Sequence, residues 1–216
     1  MPPKTVTYIP ANNNEVDIGV PHDSFLFFGG NHSLQVELDV PRASDLDIRT
    51  GNGSITSSAV SGNISLNSGN GLISAQGLSG NVRFRTGNGS VHALDLDGSV
   101  EATSGDGGIS LRGRFDSLRI HSGDGAIEAA AMAGSKVSSS AGWSISSGNG
   151  SIRLSLPADF DANLDARSGN GRVNLGFPTT ISGLHNHSSI QGKLGAGGGP
   201  LILRSGNGSI TLDRQS

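Results

Sequence analysis

The chain has 216 residues, a net charge of −3 and no cysteine. That length suits one sizeable domain or two small ones. The missing cysteines exclude disulfides and thiolate metal sites, and interspersed charge of both signs marks no nucleic-acid surface. No apolar run reaches the roughly 18 residues that a membrane helix needs, so no transmembrane segment is expected.

Glycine is abundant at 34 residues while aromatics make up only 4%. No three-residue glycine period is present, which excludes collagen. The composition fits either polar disorder or a fold with many tight turns. Apolar residues that recur in register favour the fold.

The first segment, residues 1–29, lies outside any repeat. It holds strand-like pieces at Lys4–Ile9 and Glu15–Val20 and an aromatic cluster, Phe25, Phe27 and Phe28. An N-terminal cap is expected there, followed by a repeat domain over residues 30–216. The opening stretch 1-MPPKTVTYIPANNNE-15 lacks the apolar core of a signal peptide, so an export signal is not visible in this chain.

From Gly51 onward a Gly-Asn/Asp-Gly triplet returns at Gly69, Gly87, Gly105 and Gly123, each 18 residues after the last. Further triplets begin at Gly148, Gly169 and Gly206, at steps of 25, 21 and 37. Degraded copies at 30-GNHSL-34 and 186-NHSSI-190 bring the total to about ten. Counted from the first glycine of each copy, position 5 is aliphatic throughout: Leu34, Ile55, Ile73, Val91, Ile109, Ile127, Ile152, Val173, Ile190 and Ile210. Position 14 reads Ile64, Val82, Val100 and Leu118, and position 16 reads Leu66, Phe84, Ala102 and Ile120. Polar residues fill the gaps. Alternation with a period of two means half-buried strands, here two short ones per copy.

The economical solution is an all-β fold, a single parallel β-solenoid in which each strand pairs with its counterpart one copy later. Left-handed hexapeptide helices have apolar residues every six positions, which this set does not. A right-handed coil is therefore expected, in keeping with the usual hand of parallel crossovers. The triplet is the corner that closes each coil. Its glycines are expected to supply backbone angles costly for other residues. Asn52, Asn70, Asn88, Asp106, Asp124, Asn149, Asn170 and Asn207 are expected to stack as a turn ladder.

Outward positions carry the residues capable of chemistry. Asp106 and Asp124 replace asparagine in adjacent coils and form a weak Ca²⁺ candidate; the turn role accounts for them without a metal. Asp159, Asp161 and Asp165 invite comparison with glycan-cleaving β-helices, but two of them lie in a loop-like expansion beside Pro157. His185 and His187 in 184-LHNHSS-189 have no nearby carboxylate in the sequence. The glycines of 195-GAGGG-199 precede no phosphate-loop lysine. Neither a catalytic residue nor a cofactor is expected. Position 18 is always serine or threonine (Thr50, Ser68, Thr86, Ser104, Ser122, Ser147, Ser168, Ser205). Such a column either orders water on a flat face or bonds the turn backbone, and charged neighbours argue against the flat face. Those neighbours, Arg49, Arg85, His121, Arg167 and Arg204, form a column that meets either solvent or anionic groups. The expansion 135-SKVSSSAGW-143 should bulge at a corner, with Trp143 packing over apolar surface or offering a sugar platform. The final stretch 206-GNGSITLDRQS-216 reads as an exposed end of the rod, an edge either guarded by Asp213 and Arg214 or open for copies to associate.

Three features together resemble a known family: the lead-in 40-VPRASDLDIRTGNGSI-55, the SGNG and TGNG array, and the closing 192-GKLGAGGGPLILRSGNGSITL-212. Over roughly residues 30 to 212 the chain is similar to the bacterial adhesin-like family of toastrack, or β-strand-repeat, domains. The resemblance implies a β-solenoid of the bacterial envelope or exterior, often without enzymatic activity. Some relatives are tied to envelope-stress sensing. The expected function is a non-catalytic structural or interaction module. Its partners would be a surface glycan, an envelope component or its own copies through strand edges. The alternatives are a glycan-active β-helix enzyme and a sensor domain.

Overall fold

The computed structural model describes residues 4–8, 34–140, 142–176 and 179–215, and every regular element among them is a β-strand. Two strands, β1 (Lys4–Tyr8) and β2 (Leu34–Leu38), form a small parallel sheet. The remaining residues of the expected N-terminal cap, and most of the copy beginning at Gly30, lie outside the described residues. All other strands belong to one 16-stranded sheet that winds in coils.

The period-two pattern becomes strand directly. The first coils alternate short and long pieces: β3 (Leu46–Thr50), β4 (Ile55–Ser58), β5 (Ser61–Ser68), β6 (Ile73–Gln76) and β7 (Ser79–Thr86). The next two coils run without a break as β8 (Val91–Ser104) and β9 (Ile109–Ser122), followed by β10 (Ile127–Ala131). Equivalent residues stack one above another, as Ile55 on Ile73, then Val91, Ile109, Ile127 and Ile152. On the other face Ile64 meets Val82, then Val100, Leu118 and Trp143. These residues are at most 5% exposed. Each contributes about 1.5–3 kcal/mol by leaving water.

The corners differ from expectation in one respect. No glycine of the Gly-Asn-Gly triplets has a positive φ. What excludes a side chain is proximity to the coil before it. A Cβ on Gly71 would sit 2.0 Å from the carbonyl oxygen of Gly53, and one on Gly107 would sit 1.8 Å from that of Gly89. Left-handed backbone occurs at another corner instead. It falls on the column Ala59, Gly77 and Asp95, with φ of 57°, 66° and 55°, and positive φ also recurs at the Gly62, Gly80 and Gly98 bend.

The second half departs further from a simple stack. It contains β11 (Trp143–Ser147), β12 (Ile152–Leu156), β13 (Ala162–Ser168), β14 (Val173–Leu175), β15 (Thr179–Asn186), β16 (Ser189–Leu194), β17 (Pro200–Ser205) and β18 (Ile210–Arg214). The coil β13/β14 does not rest on β11/β12. The later pair β17/β18 lies between them, with β17 hydrogen-bonded to β11 and β13, and β18 to β12 and β14. The stretch read as an exposed end of the rod is therefore interior. Leu201, Leu203, Ile210 and Leu212 have no exposed surface at all. The degraded copy 186–190 is not a corner either. It is the turn between β15 and β16, and β16 runs antiparallel to both β13 and β15. Antiparallel strands end the parallel stack there, with β15 at the edge of the sheet.

Candidate functional site

The serine and threonine column at position 18 faces inward. Ser104 and Ser122 are at most 1% exposed. Each hydroxyl bridges two coils. Ser104 Oγ donates to the Gly89 carbonyl (3.0 Å) and accepts from the Gly107 N–H (2.9 Å). Ser122 repeats the pattern with Gly107 (3.1 Å) and Gly125 (3.0 Å). The column thus bonds the turn backbone and offers no hydroxyl plane to water.

The turn ladder forms as expected, with two interruptions. Asn70 Nδ2 donates to Asn52 Oδ1 and Asn88 Nδ2 to Asn70 Oδ1, both at 2.6 Å. Farther along, Asn149 donates to Asp124, Asn207 to Asn149 at 2.5 Å, and Asn170 to Asn207 at 2.6 Å. Asp106 and Asp124 have no amide to donate, so the chain of bonds stops between Asn88 and Asp124. Among the described residues no three His, Cys, Asp or Glu side chains gather as metal ligands.

The outward-facing side chains of β3, β5, β7, β8 and β9 make a continuous polar surface. Positions 13, 15 and 17 stand side by side, two residues apart on each strand. A second amide ladder, unforeseen from the sequence, runs along position 13. Asn81 Nδ2 donates to Asn63 Oδ1 (3.0 Å), and Asn63 Nδ2 donates to Asp45 Oδ1 (3.1 Å). Its signal was the polar residue that follows each Gly62-like bend. The arginine column is largely compensated. Arg49 pairs with Asp47 at 2.8 Å, Arg83 and Arg85 both reach Glu101 at 3.2 and 3.4 Å, and Arg167 and Arg204 both reach Asp165 at 3.0 and 2.6 Å. The Asp47/Arg49 and Asp165/Arg167 pairs are readable at two-residue spacing on one strand face.

Partial burial pushes the Glu101 carboxyl up, but the hydrogen bonds and charges of Arg83 and Arg85 outweigh it and hold it below the usual range. Asp165 behaves alike: burial raises it, and Arg204, then Arg167 and Gln191, bring it below its ordinary value. Such pairs near the surface hold geometry more than they stabilise.

Between positions 13 and 15 lies an open groove of about 870 Å³ that crosses five successive coils from Asp45 to Arg119. Its rim carries Asn63, Asn81, Arg83 and Glu101. The groove has carboxamides, hydroxyls and charges of both signs, and no aromatic platform.

The other residues singled out in the sequence are dispersed. Trp143 is 1% exposed and packs between Phe115 and Phe160, with ring centroids 6.0 and 5.0 Å away. It belongs to the core and is no sugar platform. The expansion before it does bulge at a corner, where the buried Ser135 Oγ accepts the Phe115 N–H at 3.0 Å. Asp161 accepts the Ala196 N–H (2.7 Å), Asp159 is exposed in a turn, and Asp165 on β13 is held by Arg167 of the same strand and Arg204 of β17. These three carboxylates have separate surroundings. His187 is an exposed turn residue, and the side chain of His185 lies outside the described residues.

The family model Toastrack DUF4097 matches residues 3–213. No curated protein and no solved structure matches the chain.

Proposed function

Since the chain belongs to the toastrack family, we propose that it is a non-catalytic interaction module of the bacterial envelope or exterior. Its ligand is an uncharged, hydroxyl-rich polymer, such as a surface glycan, lying along the groove from Asp45 to Arg119. The observation that carries this reading is the groove's periodicity. One rung of polar side chains recurs at each coil, about 4.8 Å apart, and an extended polysaccharide presents its sugars at a similar repeat. Carboxamides and ion-paired guanidiniums suit hydroxyl groups, which both donate and accept. The groove is lined by three carboxylates, Asp45, Asp47 and Glu101, and two guanidiniums, Arg83 and Arg119, which favours a neutral ligand over a polyanion. The separate surroundings of Asp159, Asp161 and Asp165 support binding without cleavage, because hydrolysis calls for two carboxyls converging on one bond.

The test is retention on arrays of neutral and anionic bacterial glycans, together with analysis of the glycan for shortened products. The wild-type chain should hold neutral glycans intact. Asn81→Ala/Arg83→Ala should lose at least tenfold in affinity, while Arg153→Ala on the opposite strand set should keep it. Preference for anionic glycans, equal binding by the groove variant, or cleavage would each overturn the proposal.

A further inference from the structure

The position of β17 and β18 is unusual for a solenoid. Coils β11/β12 and β13/β14 are consecutive in the chain, joined only by residues 157–161. They nonetheless stand one strand apart, and the gap is filled by a segment that comes later. The slot has two hydrogen-bonding edges on each face. On one face β17 is in register with β11 over five residue pairs and with β13 over six. The other face has five pairs between β18 and β12 and three with β14.

Every column of the solenoid continues through the filler. Leu201 stacks between Trp143 and Leu164, and Ile210 between Ile152 and Val173. Ser205 Oγ donates to the Gly150 carbonyl (3.1 Å), while Ser168 Oγ donates to the carbonyl of Gly208 (2.8 Å). Asn207 is the middle rung of an amide ladder between Asn149 and Asn170.

The filler reaches its slot through 195-GAGGG-199. Gly195 and Gly197 adopt φ of 55° and 81° there, and the loop is held to the body by Asp161 at the Ala196 N–H. Four glycines in five residues make a connection that opens to an extended form at little conformational cost. A slot made by earlier residues, a filler that enters from outside, and a glycine hinge between them are the elements of strand exchange.

We propose that the segment from Pro200 to Arg214 exchanges between copies, so that the partner for this slot is a second copy of the chain. All contacts of the filler are reproduced when the donor is another copy; only the hinge differs. Tethering gives the chain's own filler a high effective concentration. The exchanged form is therefore expected when chains fold at high protein concentration, and it then persists because its release requires opening both ladders. This inference does not depend on the glycan groove.

The chain has no cysteine of its own, which allows a direct test. Ser144 and Ile202 are registered partners on β11 and β17. Ser144→Cys and Ile202→Cys chains, prepared separately, are unfolded together, refolded at low and high concentration, and oxidised. Exchange yields a disulfide-linked heterodimer whose share rises with refolding concentration. It should exceed several-fold the background from Ser144→Cys with the unregistered Ser65→Cys. The Ser144→Cys/Ile202→Cys double variant, oxidised before mixing, should stay monomeric. Should Ile202→Cys fail to refold, Ser146→Cys with Arg204→Cys offers a second registered pair. Heterodimer no higher than background at every concentration, in a pair that refolds, would overturn the proposal.

Discussion

Replacing Ser104 by alanine tests the bridge that ties one corner to the next. The side chain is 1% exposed, and Gly89 and Gly107, which it joins, are both buried. Alanine removes the donor to the Gly89 carbonyl and the acceptor for the Gly107 N–H, at 3.0 and 2.9 Å in the wild type. Water cannot replace a hydroxyl at a closed position. An unsatisfied buried polar group costs about 1–3 kcal/mol. Two such groups, less the small relief of no longer burying the hydroxyl, give a loss of about 3 kcal/mol. The first coil provides an internal control. Among the described residues Thr50 makes one of the two bonds, accepting from the exposed Gly53 N–H at 3.1 Å, so Thr50→Ala should cost under about 1 kcal/mol. Urea denaturation, followed by circular dichroism and by Trp143 fluorescence, should separate the two variants by about 2 kcal/mol. Exchange of the Gly107 amide should accelerate in Ser104→Ala alone. Ser104→Thr should be near neutral, because Thr86 holds the same position one coil away. Equal losses for Ser104→Ala and Thr50→Ala would refute the bridging role.

Gly107→Ala should destabilise by about 3 kcal/mol or more in the same denaturation assay, since its Cβ would collide with the Gly89 backbone. Gly108→Ala should change stability by less than about 0.5 kcal/mol, because there the closest atom is the Ala126 oxygen at 3.4 Å. Asp106→Asn restores a donor for Asn88 and removes a like charge from the rung beside Asp124. Thermal melts should show a gain of about 0.5 kcal/mol, unaltered by calcium; a calcium-dependent loss would instead reveal a metal site. Glu101 and Asp165 have folded pKa values below their unfolded ones. Their contribution is fully present above the ordinary carboxylate pKa of about 4 and is lost as pH falls through the lower folded values. Urea midpoints should therefore drop on the acid side, and less steeply for Glu101→Gln.

The coils were legible in the sequence because their cause is local. A β-carbon alternation such as Ile64, Leu66 and Ser68 needs no partner to be read, and stacking follows from repetition at a fixed step. The turn ladder was legible for the same reason. The reason for the triplet glycines was not. A glycine required by φ and one required by a neighbouring carbonyl look alike in a sequence, and only the 2.0 Å that would separate a Cβ on Gly71 from the Gly53 carbonyl oxygen tells them apart. The serine column misled in the same way. Ser104 is polar, which points outward by composition, yet it continues the inward parity of Val100 and Ala102.

The order of the last coils was illegible on deeper grounds. Gly148, Gly169 and Gly206 open nearly identical triplets, and each presents the same carbonyl, amide and hydroxyl pattern to a neighbour. Gly169 would stack on Gly148 as readily as Gly206 does, since the column chemistry is degenerate. What selects the observed order is the material between copies. The antiparallel turn at 186–189 sends the chain back along β13, and the glycine hinge at 195–199 then returns it to the level of the slot. A fold built from interchangeable rungs specifies what each rung looks like far more tightly than which rung comes next. The same degeneracy that hides the order in the sequence lets a rung from another copy fit the gap.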